Sequence, residues 1–288
     1  MSTFIEKAQY FRACLRKRVA GQPLRCPSCC APQSQVVARK YLVSELRSCH
    51  ACKLLFRYPL DTEQENLTFY QADYSAGFTT DCPSDRELAS LLATRFVGHQ
   101  KDYAHYIRVL QAVGLPAGAD LLDYGCSWGY GTWQLQQAGF KVHGFEISKP
   151  RARYAREQMR LHVSSDASEL RSGYRCFFSA HVLEHVPAVS KVIDLAKQHL
   201  APGGLFIAFT PNGSRPFRAR FPKAFRNGWG RVHPNYLTDE FYWRVFGGRP
   251  LLLASSPYDY SDIASWDRKR QTRLDLSGKE LLCATVLG

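Results

Sequence analysis

The chain has 288 residues, 45% of them hydrophobic and 13% aromatic, enough to bury one large α/β domain with a small appendage. No apolar run reaches the ~18 residues that cross a bilayer, and residues 1–18 lack the apolar centre of a secretory signal, so the expected setting is the cytoplasm. A formal charge of +13 favours an anionic partner, and ten cysteines without a secretory signal argue against a disulfide framework.

Residues 1–25 predict a helix with a basic tail. Phe4, Ile5, Ala8, Phe11 and Leu15 share a face expected to dock on the rest of the chain rather than on a membrane surface. Residues 26–58 hold Cys26-Pro-Ser-Cys29 and Cys49-His-Ala-Cys52, with nineteen residues between the pairs. Two such knuckles present four thiolates tetrahedrally and close a structural zinc site. Metal binding then supplies the folding energy that so short a segment lacks. Cys30 could replace Cys29, and His50 could compete as a ligand. Cys14, Cys82, Cys126, Cys176 and Cys283 read as buried or half-buried thiols. Ribbon strands are expected at 35–38 and 54–58.

Residues 59–84 read as an irregular linker carrying Phe69, Tyr70, Tyr74 and Phe78. A helical pattern begins at Ser84, capped by Ser84-Asp-Arg-Glu87, with an apolar stripe from Leu88 to Leu110 and a break near Gly98. Strands are then expected at 120–124, 141–145, 161–163, 174–180 and 205–210, alternating with helices at 132–138, 149–159, 168–171 and 189–200. That order predicts an α/β fold with a doubly wound, Rossmann-like parallel sheet over 85–288. Two last strand-like runs, 250–255 and 280–286, predict a closing antiparallel hairpin joined by a polar loop.

The most informative stretch is Leu121-Leu-Asp123-Tyr124-Gly125-Cys-Ser127-Trp-Gly129-Tyr-Gly-Thr132. It reads as strand, tight turn and helix N-terminus, where backbone approaches a nucleotide-like ligand. Gly125 and Gly129 are four apart, so no dinucleotide G-x-G-x-x-G can be drawn. Asp123 would repel a pyrophosphate but suits the cationic methionine end of S-adenosylmethionine (SAM). In such sheets ligands sit beyond the carboxyl ends of the strands. Glu146, followed by Ile147, ends the second strand and can accept from both ribose hydroxyls. Asp166 and Ala167, after the third, could meet the adenine, and His181 ends the fourth.

These residues resemble the motifs of class I SAM-dependent methyltransferases. Asp123 to Gly129 matches the first motif, with Ser127 where the family usually has glycine, and Gly144-Phe-Glu146-Ile-Ser148 is similar to the ribose-binding acidic motif. Phe178-Ser-Ala-His181-Val-Leu-Glu184-His185-Val186 resembles the fourth motif, and Leu200 to Asn212 the following ones. The cysteine segment with Phe56, Pro59, Phe69, Tyr70 and Tyr74 resembles a subgroup with an N-terminal zinc ribbon. That resemblance implies sugars, polysaccharide precursors or secondary metabolites as acceptors.

His181-x-x-Glu184-His185 is similar to Glu-x-x-Glu-His in ubiquinone-biosynthesis O-methyltransferases and small-RNA methyltransferases. There the resemblance implies a divalent ion beside the acceptor hydroxyl, with His233 reminiscent of a downstream histidine. In this chain His181 replaces the first acid, which disfavours Mg²⁺. The local alternatives are a hydrogen-bonded Glu184–His185 pair at a helix start, or general-base service by His181, His185 or His233. No Asn/Asp-Pro-Pro-Tyr follows the fourth strand, so oxygen is the expected acceptor atom. Residues 213–236 form a basic, aromatic lid, with six cationic side chains and no acid over 213–231. They read either as a solvated face with inward aromatics or as an anion-binding cover. The expected activity is therefore O-methylation of a small or oligomeric anionic acceptor such as a sugar or nucleotide-sugar. RNA methylation and a non-catalytic assembly role are the alternatives.

Overall fold

The computed structural model describes residues 2–68 and 81–288. The expectations placed on Phe69, Tyr70, Tyr74 and Phe78, and on the side chains of Phe4 and Ile5, lie outside the described residues. Helix α1 (Ser2–Val19) leads to β1 (Ser34–Lys40), β2 (Ser44–Cys49) and β3 (Leu55–Tyr58), followed by α2 (Glu63–Thr68). After α3 (Asp85–Ala93) and α4 (Ala104–Ala112), strands and helices alternate. They are β4 (Asp120–Tyr124), α5 (Tyr130–Gln137), β5 (Lys141–Phe145), α6 (Lys149–Glu157), β6 (Val163–Ser164), β7 (Tyr174–Ala180), α7 (Val189–His199) and β8 (Leu200–Pro211). The chain continues through α8 (Arg215–Arg220), α9 (Pro222–Gly228), β9 (Asn235–Tyr236), α10 (Asp239–Val245), β10 (Leu251–Ser255), α11 (Tyr260–Ala264), β11 (Gln271–Arg273) and β12 (Glu280–Val286).

The large sheet has the order β11-β10-β12-β8-β7-β4-β5-β6. Strands β4 to β8 pair in parallel, and β12 runs antiparallel between β8 and β10. This is the expected doubly wound arrangement. Its two faces are covered by separate apolar clusters, one built on Phe177, Phe206 and Tyr242, the other on Phe178, Phe209 and Leu282. Alternate residues of β7 and β8 thus point into opposite layers, as a central strand requires.

Strands β10 and β12 do pair antiparallel, but their connection is no polar loop. It carries α11 and β11, and buries Ile263 and Trp266. Strand β8 also begins five residues early, at Leu200, and β6 begins two residues late and ends one residue late, at Ser164. The capping box at the start of α3 is present: Glu87 N–H donates to Ser84 Oγ, and Ser84 N–H to Glu87 Oε2 at 2.8 Å.

The smaller sheet has the order β1-β2-β3-β9, so one of its strands comes from more than 170 residues beyond the others (Phe56 pairs with Asn235). Strand β2 escaped sequence reading because Ser44-Glu-Leu-Arg-Ser-Cys has no apolar alternation; it is central and buried nonetheless. Glu45 is compensated there by Arg47 at 2.5 Å and Arg18 at 3.4 Å. Phe217, Phe225, Trp229 and Tyr236 pack on this sheet against Leu46 and Leu55. Burying each large ring contributes roughly 2–3 kcal/mol, which holds segment 213–236 to the N-terminal module.

Helix α1 docks on the protein, but not through the expected face. Tyr10 Oη bonds Ser44 Oγ at 2.9 Å, Lys17 reaches Asp61 at 2.9 Å and Glu65 at 2.8 Å, and Cys14 is buried. Phe11 and Leu15 point outward, 39% and 45% exposed. The reason is Arg57, fully buried, which needs the Tyr10 hydroxyl and the Asp61 carboxylate as partners.

Candidate active site at the carboxyl edge of the sheet

The turn after β4 forms as its glycines demand. Gly125 and Gly129 have φ of 86° and 92°, and a Cβ on Gly125 would collide with the Val182 side chain. Ser127 is also left-handed, φ 53°, at the position where the resemblance expects glycine. Its Oγ is buried and has no hydrogen-bond partner among the described residues. A buried hydroxyl without a partner is costly, and a ligand seated in the turn would satisfy it.

Asp123 is buried and accepts from Thr132 Oγ1 at 2.7 Å. Burial pushes its carboxyl up to about 7, against that hydrogen bond, and the nearby Glu146 adds to the rise. Glu146 accepts from the backbone N–H of Ser127 at 2.9 Å and of Ser148 at 2.7 Å. Burial raises its pKa, opposed by those donors and by Arg151. Tyr124 lies stacked between Phe145 and Phe177, with ring centroids 5.0 and 5.1 Å away. Ile147 stays 41% exposed beside Glu146. Asp166 is exposed and spends Oδ1 on capping the 3-10 turn at Ala167–Glu169, while Ala167 is half-buried.

The loop after β7 gathers a second set of residues. His181, with φ 55°, hydrogen-bonds Glu184 Oε1 through Nδ1 at 3.3 Å and Glu280 Oε2 through Nε2 at 2.7 Å. Desolvation disfavours its charge, but the two carboxylates outweigh it and hold the imidazole up to about 10. Tyr106 and Tyr258 donate to the same Glu280 at 2.8 and 2.7 Å. No sequence signal pointed to Glu280, Tyr106 or Tyr258, which are brought in by β12, α4 and the turn after β10. At neutral pH His181 is therefore an imidazolium rather than a base.

Glu184 and His185 lie in the loop before α7, which starts only at Val189, so they are not a helix-start pair. His185 Nδ1 donates to the Val232 carbonyl at 2.8 Å, leaving Nε2 3.8 Å from Glu184 Oε1. Burial drives the His185 pKa down to about 4. His233 Nδ1 donates to the Gly228 carbonyl at 2.7 Å, and the two imidazoles lie 4.7 Å apart edge to face. One ligand atom from each of Glu184, His185 and His233 lies within 4.8 Å of the others, and Glu184 Oε2 is buried with no hydrogen-bond partner among the described residues. The small sheet sets this up: Asn235 N–H donates to the Glu184 carbonyl at 3.1 Å, and Asn235 Nδ2 to the Val186 carbonyl at 2.6 Å.

A third cluster lies in the N-terminal module, where the four thiols of Cys26, Cys29, Cys49 and Cys52 lie within 4.8 Å of one another. Cys30, exposed at φ 60°, and the exposed His50 stand outside this group. Cys82 is exposed rather than buried or half-buried, whereas Cys14, Cys126, Cys176 and Cys283 are buried as expected.

Among solved structures, geranyl diphosphate C-methyltransferase from Streptomyces coelicolor A3(2) superposes with a TM-score of 0.50 at 14% identity, covering 78% of this chain and 98% of that one. A TehB-like SAM-dependent methyltransferase from Corynebacterium glutamicum gives 0.44 at 18% identity, covering 70% and 95%. At these identities the likeness is one of fold. No curated protein matches the chain. The sequence of residues 97–245, from the turn before α4 to the end of α10, matches the family described as methyltransferase domain, and the chain belongs to that family.

Proposed function

We propose that this protein is a SAM-dependent O-methyltransferase whose acceptor is a small anionic molecule such as a sugar or nucleotide-sugar. The observation that carries the reading is a convergence at one edge of the sheet. The glycine turn after β4, with Asp123, Ser127 and the nearby Glu146, lies beside the loop after the adjacent strand β7, which holds His181, Glu184 and His185. SAM's amino-acid end would face Asp123, its ribose Glu146, and its adenine Ile147, Asp166 and Ala167. The similar fold from Streptomyces coelicolor, solved in complex with S-adenosyl-L-homocysteine, supports a SAM-type cofactor.

In the reaction the acceptor oxygen attacks the methyl carbon in line with the breaking C–S bond, whose electron pair stays on sulfur. The acceptor hydroxyl must lose its proton. Glu184, His185 and His233 fit a divalent ion, because one ligand atom from each lies within 4.8 Å of the others and Glu184 Oε2 is buried with no hydrogen-bond partner among the described residues. Such an ion lowers the pKa of a hydroxyl beside it. A donor set of two imidazoles and one carboxylate suits Mn²⁺, Fe²⁺ or Zn²⁺ better than Mg²⁺. The imidazolium of His181 adds positive charge at the same place, and Glu280 holds its ring in position. The Cys26, Cys29, Cys49 and Cys52 thiolates fit a closed structural zinc site.

Isothermal titration with SAM, followed by incubation with methyl-labelled SAM and a small-molecule extract, tests the reading. The expected result is SAM binding and a labelled methoxyl product. Label on RNA, nitrogen or carbon would replace the acceptor assignment, and absence of SAM binding would overturn the whole reading.

A further inference from the structure

We infer that the N-terminal module docks on the surface of an anionic lipid bilayer, setting Phe11, Leu15 and Val19 of α1 and Leu42 at the tip of the β1–β2 hairpin among the headgroups. This goes beyond the methyl-transfer reading and does not depend on it.

Helix α1 has two faces. Tyr10, Cys14 and Lys17 turn toward the protein, where Ser44, Arg57, Asp61 and Glu65 engage the two polar ones and Cys14 is buried. Phe11, Leu15 and Val19 follow one another at four-residue spacing, which places them on one stripe of a helix. That stripe faces away from the docked side, and the three residues are 39%, 45% and 81% exposed. Scattered exposed apolar residues are ordinary, but a row of them rimmed by charge marks an interaction face. The hairpin tip lies next to the helix, since Arg18 Nε donates to the Val43 carbonyl at 2.8 Å. Leu42 there is 94% exposed, and it and Tyr41 both have left-handed backbone, φ 58° and 53°. Asparagine or glycine would hold that turn with less strain and no apolar surface. A leucine in this position packs on nothing inside the fold, and an apolar environment outside it gives the side chain a use.

Charge selects the partner. Helix α1 carries Lys7, Arg12, Arg16, Lys17 and Arg18 against Glu6, and the hairpin Ser34–Cys49 carries Arg39, Lys40 and Arg47 against Glu45. Glu45 is already engaged by Arg47 and Arg18, and Lys17 by Asp61 and Glu65. Arg12 and Arg16 are exposed, each one position beyond a residue of the stripe. Their long stems can lie along the apolar surface while the guanidinium groups reach lipid phosphates above it. An apolar stripe bordered by arginines is the pattern of a helix lying in the plane of an anionic membrane surface. Single-stranded RNA would also meet the cations, but Leu15, Val19 and Leu42 offer bases no ring to stack on. Among the described residues no helix is long and apolar enough to cross a membrane. The attachment is therefore peripheral and reversible, from a few shallow apolar side chains and the cations beside them.

The test is flotation of the full chain with vesicles of phosphatidylcholine alone and of phosphatidylcholine mixed with phosphatidylglycerol. The chain should float with the mixed vesicles, less so as salt is raised, and far less with phosphatidylcholine alone. Leu15→Gln, which keeps a good helix former, and Leu42→Asn should each lower the partition onto mixed vesicles by roughly fivefold, as loss of one apolar anchor implies. Arg12→Gln should lower it by a similar factor and flatten the salt dependence. Asparagine suits the left-handed tip better than leucine, so the melting temperature of Leu42→Asn should hold or rise, and weaker flotation of that variant is not a folding defect. Absence of flotation with mixed vesicles, or wild-type flotation in both Leu15→Gln and Leu42→Asn, overturns the proposal. A dimer in sedimentation velocity without vesicle binding would give the face to a second copy of the chain, and capture of polyuridylate without vesicle binding would give it to RNA; either result also overturns it.

Discussion

His181 Nε2 lies 2.7 Å from Glu280 Oε2, joining the end of β7 to the start of β12 across 99 residues of sequence. The bond exists because β12 enters the sheet antiparallel beside β8, which puts its first residue at the edge where the parallel strands end. With Glu184 on the other ring nitrogen, the imidazole is clamped between two carboxylates.

The clamp has a pH signature. A histidine held near 10 in the folded chain, against 6.5 ordinarily, binds its proton more tightly folded than unfolded. Its stabilising contribution is complete below 6.5 and disappears as pH rises toward 10. Glu280→Gln removes one of the two carboxylates, so the His181 ring titration followed by NMR should move to lower pH while SAM affinity stays unchanged. An unmoved midpoint would show that Glu280 does not hold this ring.

Asp123 gives a signal of the same sign at lower pH. Its carboxyl, raised to about 7 from 3.8, is largely protonated in the free protein near pH 6, and its contribution to stability falls as pH climbs between those values. The ammonium of SAM would favour the carboxylate, so binding should release a proton. Calorimetry at about pH 6 in buffers of different ionisation enthalpy should detect that release in the wild type and lose it in Asp123→Asn. Equal heats in all buffers for the wild type would remove Asp123 from the ligand's amino-acid end.

Ser127 combines a strained backbone with an unpartnered hydroxyl. Ser127→Gly relieves about 1 kcal/mol of left-handed strain, offset by a similar loss through glycine's freedom in the unfolded chain, so stability should change little. SAM affinity should drop by roughly two- to tenfold, the value of one hydrogen bond. Undiminished affinity would mean that the hydroxyl does not face the ligand.

The cysteine cluster should act at a distance. Cys49→Ser should abolish a zinc content of one ion per chain by elemental analysis, and lower the melting temperature. Because β3 pairs with β9 two residues from His233, loosening the ribbon should also weaken Mn²⁺ binding at Glu184, His185 and His233, read by electron paramagnetic resonance. Wild-type Mn²⁺ affinity in the zinc-free variant would uncouple the two sites.

The sequence alone determined what is local. Strand–turn–helix chemistry is written in consecutive residues, so Asp123, Gly125, Gly129 and Glu146 could be placed on the β4 and β5 ends, and two Cys-x-x-C pairs marked one cluster. Alternation of apolar strands with amphipathic helices likewise determined the parallel sheet. Tertiary structure decided everything that depends on which strand lies beside which. It brought Glu280 to His181, made a strand of Asn235–Tyr236 in the ribbon's sheet, and turned α1 by its Tyr10 face toward a buried Arg57. The physical reason is that a buried charge takes whatever partner the fold delivers, and sequence distance carries no information about that partner.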